Sequence, residues 1–199
     1  VILYKIVYIF YCSLLPFIEL PNYPVKKIIL GSFSCLKNGS YGEWFYLGSG
    51  KSNFWHLMEK TFEINMLTIA DKKNLMKENQ IWITDVATEI IRKKENHGCL
   101  DTNLKIITYN INFIQEVLNQ NPIEKVLCTS AWVAELWTKK LLPQLTCEQN
   151  IDLIKLPSPS PMANQAIRAN TEYKNLVAED SNFNPFQFRL KKYKEAFLS

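Results

Sequence analysis

The sequence predicts an α/β protein: three layers, α/β/α, around a central, mainly parallel four-stranded sheet. Three observations predict it. Short apolar runs closed by turn residues alternate with segments of helical periodicity, which is the spacing of β-α units. The runs "KIIL" and "KVLC" are near-continuously apolar rather than alternating, as in strands covered on both faces. A chain of 199 residues, 47% of them apolar, can bury one sizeable core.

The elements follow in chain order. Residues 1–24 read as an apolar N-terminal segment ahead of a single domain over 25–199. The segment lacks an initial methionine, and its uncharged run from Ile6 to Ile18 holds 13 residues including Pro16. That is short of the roughly 20 needed to cross a bilayer, and no small-residue cleavage site follows. A truncated or mis-started extension docked on the core is expected. "VKKIILGSF" (25–33) reads as a buried strand entering a loop at Gly31-Ser32. "SNFWHLMEKTF" (52–62) reads as a helix capped by Ser52, with Phe54, Leu57, Met58 and Phe62 on one face. "IWITDVATEIIRK" (81–93) reads as a short strand or turn running into a helix, followed by a polar loop. "KIITY" (105–109) is the second strand, with a helix over 111–121. "EKVLCTS" (124–130) is the third, and "AWVAELWTKKLL" an amphipathic helix stopped by Pro143. "IDLIKLPSPSPMAN" is the fourth strand running into a proline-serine loop. The closing "NPFQFRLKKYKEAFL" is helical, with a basic face at Arg189, Lys191, Lys192 and Lys194. Ligands of parallel sheets bind beyond the carboxyl ends of the strands, so the loops after Leu30 and Leu156 are the candidate site.

Composition narrows the function classes. The net charge of +4 permits a polyanionic partner without requiring one. Five scattered cysteines (12, 35, 99, 128, 147) contain no C-x-x-C, and an odd count argues against a closed disulfide set. A reducing cytoplasmic or nuclear compartment is expected, nucleoid-associated in a bacterium. Two histidines 41 residues apart do not make a metal site. No metal, no other cofactor and no membrane are expected, and the chain is expected to be a monomer. "WFYLGSGKSNFW" (44–55) imitates an ATP-binding loop. That loop requires glycine at position 45, where the backbone wraps the phosphate, and the residue there is Phe45. The only strand-end aspartate to hold magnesium is Asp85. The phosphate-loop reading fails.

Four segments, in order, resemble the uracil-DNA glycosylase superfamily, most closely its mismatch-type and hypoxanthine (deoxyinosine) branch. "IILGSF" is similar to the first strand and loop, and "FYLGSGKSNFWHLM" to the branch's aromatic–turn–Asn–x–Phe–Trp segment. "WITDV" with "HGCLDTNLK" is similar to its mid-chain pair, and "LPSPSPMAN" to its second signature, together spanning roughly residues 25–165. The resemblance implies a monofunctional DNA N-glycosylase of base-excision repair. Such an enzyme flips a deaminated base, uracil or hypoxanthine, out of the stack and hydrolyses its N-glycosidic bond by water attack. Negative charge grows on the departing base, so the site needs a positioned water, donors to the base oxygen and a side chain that reads the base edge.

The resemblance places the catalytic roles at Asn53 and Ser34. A carboxamide can accept from water and donate to a base at once; the bland alternative is that Asn53 only caps a helix. Gly31, Ser32 and Phe33 would floor the base pocket and Tyr46 would wall it, although an aromatic in an apolar run is more often core. Pro157, Ser158, Pro159, Ser160, Pro161 and Met162 would grip DNA: prolines stiffen the loop, serines meet phosphates, and Met162 fills the vacated stack. A plain surface turn is the alternative there. Ser34 stands where the branch often has proline, residues 48–51 where a His-Pro turn is common, and Leu156 where uracil-specific members carry histidine. The last difference favours mismatch-type or hypoxanthine-directed activity. The differences at Ser34 and Leu156 also raise an alternative, a catalytically silent nucleic-acid-binding relative. The missing four-cysteine set sets aside the iron–sulfur members.

Overall fold

The computed structural model describes residues 11–17, 19–36, 40–48, 52–93 and 100–198. The strands are β1 (Tyr11–Leu14), β2 (Lys27–Gly31), β3 (Ile81–Asp85), β4 (Ala87–Arg92), β5 (Leu104–Tyr109), β6 (Lys125–Cys128) and β7 (Asp152–Lys155). The α-helices are α1 (Phe54–Phe62), α2 (Ile69–Glu78), α3 (Ile111–Gln120), α4 (Ala131–Leu136), α5 (Asn164–Ala169), α6 (Thr171–Glu179) and α7 (Pro185–Leu198). The expected central sheet is present, with four parallel strands in the order β3-β2-β6-β7. Helices flank it.

Its membership differs from the sequence reading. "KIITY" lies outside this sheet, in β5, and the strand ending at Asp85 takes its place. "ATEIIR" is not helical: it forms β4, central in a second, antiparallel sheet ordered β1-β4-β5. The physical reason is its β-branched content and its neighbours. β4 has partners on both edges, and tertiary pairing overrides a weak local helical pattern. β1 comes from the N-terminal segment, and Leu15 just beyond it is buried in the main core.

The core is built from the runs that periodicity singled out. Ile28, Ile29 and Leu30 of β2 and Val126 and Leu127 of β6 are fully buried between the helical layers. Against them pack Leu57 and Met58 of α1, Ile114 of α3 and Tyr193 of α7. α2, α5 and α6 were not legible in the sequence. α2 starts at a full capping box, in which the Thr68 hydroxyl accepts from Asp71 N at 3.1 Å and the Asp71 carboxylate accepts from Thr68 N at 2.8 Å.

One charge expectation is corrected. Arg189 is not on a solvated basic face; it is 1% exposed. Lys191 and Lys192 pair with Glu172 and Glu195, and Lys194 with Glu63. Cys35 is disulfide-bonded whereas Cys128 and Cys147 are free thiols.

Candidate active site

Parallel strands in one sheet bring their carboxyl ends to one rim. Here Ser32, Asp85, Thr129 and Leu156, which end or follow β2, β3, β6 and β7, line a single cavity of about 1040 Å³. The strand order reverses between β2 and β6, where the connections diverge and a crevice opens.

The loop after β2 is the floor. Gly31 lies in register with Asp85 on the neighbouring strand. A methyl group at Gly31 would sit 2.2 Å from Asp85 Oδ1 and 2.8 Å from the Tyr46 hydroxyl. Only hydrogen fits. Gly31→Ala is therefore expected to cost about 1–3 kcal/mol in urea unfolding through overpacking, with the Asp85 carboxyl displaced; an unchanged unfolding midpoint would contradict this packing. The Ser34 hydroxyl donates to Asp85 Oδ2 at 3.2 Å, and its carbonyl accepts from Arg92 Nη2 at 2.9 Å. The Arg92 guanidinium also lies 5.7 Å from the Phe33 ring centre, fixing that ring at the cavity.

Tyr46 forms a wall. Its backbone is left-handed, with φ of 61°, a conformation that tyrosine rarely adopts. The ring stacks on Phe54 at 4.2 Å between centroids, and the hydroxyl donates to Thr129 Oγ1 at 3.0 Å. Thr129 Oγ1 in turn donates to the Leu30 carbonyl at 3.2 Å. Burial raises the Tyr46 pKa well above its ordinary value, so the phenol stays neutral. The segment leading to residue 48 is a turn, not a strand, and Trp44 and Phe45 are buried in the core. That is no setting for a phosphate loop. Ser49, Gly50 and Lys51 lie outside the described residues, as do His97 and Cys99 of the mid-chain segment.

Asn53 precedes α1, but its side chain makes no capping bond; Ser52 Oγ accepts from Phe54 N instead, at 3.2 Å. The carboxamide thus does not serve as a helix cap, nor is it among the groups lining the cavity. Its backbone N–H donates to the Pro159 carbonyl at 3.1 Å. This bond joins the glycine-serine turn to the proline-serine loop, two segments about a hundred residues apart in sequence. Pro157, Ser158, Pro159, Ser160, Pro161 and Met162 all line the cavity, and Met162 is 76% exposed at the rim. Ser160 Oγ accepts from Met162 N at 3.3 Å, opening a short 3₁₀ turn before α5.

The cavity also holds two carboxyl groups, Asp85 and Asp101, that the sequence did not assign to the base pocket. Asp85 is 3% exposed, and its pKa is pushed up to about 7, chiefly by desolvation. Two hydrogen bonds from Ser34 oppose the rise and the Asp101 charge adds to it. Asp101 is also raised by burial, against a hydrogen bond from Ser32. The only available signal was position: Asp85 ends an apolar strand, which in a parallel sheet means the functional rim. The buried Asn110 holds that strand end, donating from Nδ2 to Thr84 Oγ1 at 2.9 Å and to the Asp85 carbonyl at 3.0 Å. Among the described residues no cluster of His, Cys, Asp and Glu could hold a metal ion, and no helix is long and apolar enough to cross a membrane.

A similar fold occurs in the solution NMR structure of a putative uracil DNA glycosylase from Methanosarcina acetivorans. It is 17% identical, with a TM-score of 0.55, and the match covers 86% of this chain and 94% of that one. The likeness is one of fold. No protein-family model and no curated protein matches the sequence.

Proposed function

We propose that the protein is a DNA base-excision glycosylase that hydrolyses the N-glycosidic bond of a deaminated base, uracil or hypoxanthine, without a metal or other cofactor. The observation that carries this reading is the bond from Asn53 N to the Pro159 carbonyl above a cavity floored by residues 32–34. It is supported by the four ordered sequence segments and by the fold shared with the putative uracil DNA glycosylase of Methanosarcina acetivorans. In this reading the target nucleotide is flipped into the cavity, because its sugar carbon cannot be reached inside a duplex. Phe33 and Tyr46 bound the base. Asp85, held by Ser34, meets its polar edge, and Asn53 positions the attacking water. Met162 enters the vacated stack, and the remainder of 157–161 meets the backbone phosphates. Leu156 is apolar and offers no donor to the base oxygen, which favours the mismatch-type or hypoxanthine branch over strict uracil excision.

The test is base release from oligonucleotides carrying uracil, hypoxanthine or a mismatch, read as alkali-labile abasic sites. Cleavage of at least one deaminated substrate is expected. Retention of every base by a protein that binds the same DNA would leave the second reading, a silent binder of nucleic acid. One observation favours that alternative: the Asn53 carboxamide is not among the cavity-lining groups. Asn53→Ala separates the two: an enzyme loses rate far more than DNA affinity, a silent binder does not.

A further inference from the structure

The geometry points to Arg189 as the positioning residue of the proline-serine loop, an inference that rests on the glycosylase reading of that loop. Arg189 lies in α7, nearly devoid of solvent exposure. Its Nε donates to the Ser158 carbonyl at 2.7 Å and its Nη2 to the Ser160 carbonyl at 2.8 Å. Nη1 donates to the Pro185 carbonyl, one turn back in α7, at 3.3 Å.

The loop needs such a partner. Prolines at 157, 159 and 161 remove every second N–H, so the segment cannot continue the β7 ladder, and its carbonyls must find donors elsewhere. Three consecutive carbonyls are captured by two helices. Arg189 takes those of Ser158 and Ser160, and the N–H of Asn53, at the start of α1, takes that of Pro159. The two helices pack together through Phe54 against Tyr193 and Phe62 against Phe197. The loop is thereby fixed to the same rigid pair that presents Asn53. Carbonyls turned toward Arg189 and Asn53 are also kept from meeting a phosphate, which they would repel. A planar guanidinium spans two carbonyls in one plane, and lysine has no such fork.

The expected consequence is a split between binding and chemistry. Arg189→Met keeps the bulk and removes the donors. It is expected to raise KM for a deaminated duplex about tenfold or more, the scale of a lost charged hydrogen bond, with kcat within about threefold. Arg189→Lys is expected to recover part of the loss. The accompanying readout is amide hydrogen exchange: at Ser160 and Met162 it rises at least about tenfold, while β2 and β6 amides stay as in the wild type. Unchanged exchange at 158–163, or a fall in kcat together with faster exchange throughout the sheet, overturns the proposal, since either leaves Arg189 a general core residue. If Arg189→Met does not fold, Arg189→Lys is judged on the same two readouts, and unchanged loop exchange again overturns it. If the wild-type protein releases no base, the glycosylase reading fails. The exchange data, with the affinity for an abasic-site duplex in place of KM, then still decide whether Arg189 positions the loop.

Discussion

Asn53→Ala is expected to slow base release by a hundredfold or more while changing DNA affinity by less than about threefold. The side chain makes no capping bond, so its removal deprives α1 of nothing that Ser52 does not already supply. The backbone N–H that binds the Pro159 carbonyl survives the substitution, so the loop should remain in place. What disappears is the carboxamide that, in the proposed reaction, orients water against the sugar carbon, a geometric contribution to the barrier. Single-turnover release on uracil and hypoxanthine substrates, set beside Kd from fluorescence anisotropy, makes the measurement. Equal losses in rate and affinity, or none in either, would favour the silent binder. An unchanged thermal midpoint in the same variant would show that the rate effect is local.

The contrast between Asn53 and Arg189 bears on what a sequence can reveal. Asn53 was singled out because a glycine-serine stretch, an amide and two aromatics form a local pattern, and the structure sets its backbone against the proline-serine loop. Arg189 was misread because the local pattern, four cations in six residues, describes a solvated helix face equally well. Its partners lie 29 and 31 residues away on a loop that cannot satisfy its own carbonyls, and nothing within α7 announces them. Likewise β2, β6 and β7 declared themselves as apolar runs beside turn residues. β4 did not, because its β-branched residues fit a short helix as readily as a strand until the partners on both edges decide between them. Asp85 lies between these cases. It was visible as a strand-end carboxylate, but its burial against Ser34 and Gly31 depends on a register that the sequence does not display.

That burial makes Asp85 the residue through which pH should act. Its ordinary pKa of 3.8 rises to about 7 in the folded chain, with desolvation the largest cause. Between those values the folded state keeps a proton that the unfolded state releases. Stability is therefore highest at acid pH with respect to this group, falls as pH rises from about 4 to about 7, and stays lowered above that, by on the order of 4 kcal/mol. Asp85→Asn keeps an acceptor for the Ser34 hydroxyl and cannot ionise. Urea unfolding at pH 5 and pH 8 should give the wild type a lower midpoint at pH 8, with much of that difference gone in Asp85→Asn; equal slopes in both proteins would refute the assignment. The proposed chemistry adds a second readout. A neutral carboxyl can donate to a base carbonyl while accepting from the adjacent N–H, the pattern that uracil and hypoxanthine share, whereas a carboxylate can only accept and repels the carbonyl. Base release should then drop by about tenfold between pH 6 and pH 8 in the wild type, as the neutral fraction does. In Asp85→Asn, whose carboxamide presents the same donor and acceptor at every pH, it should stay level.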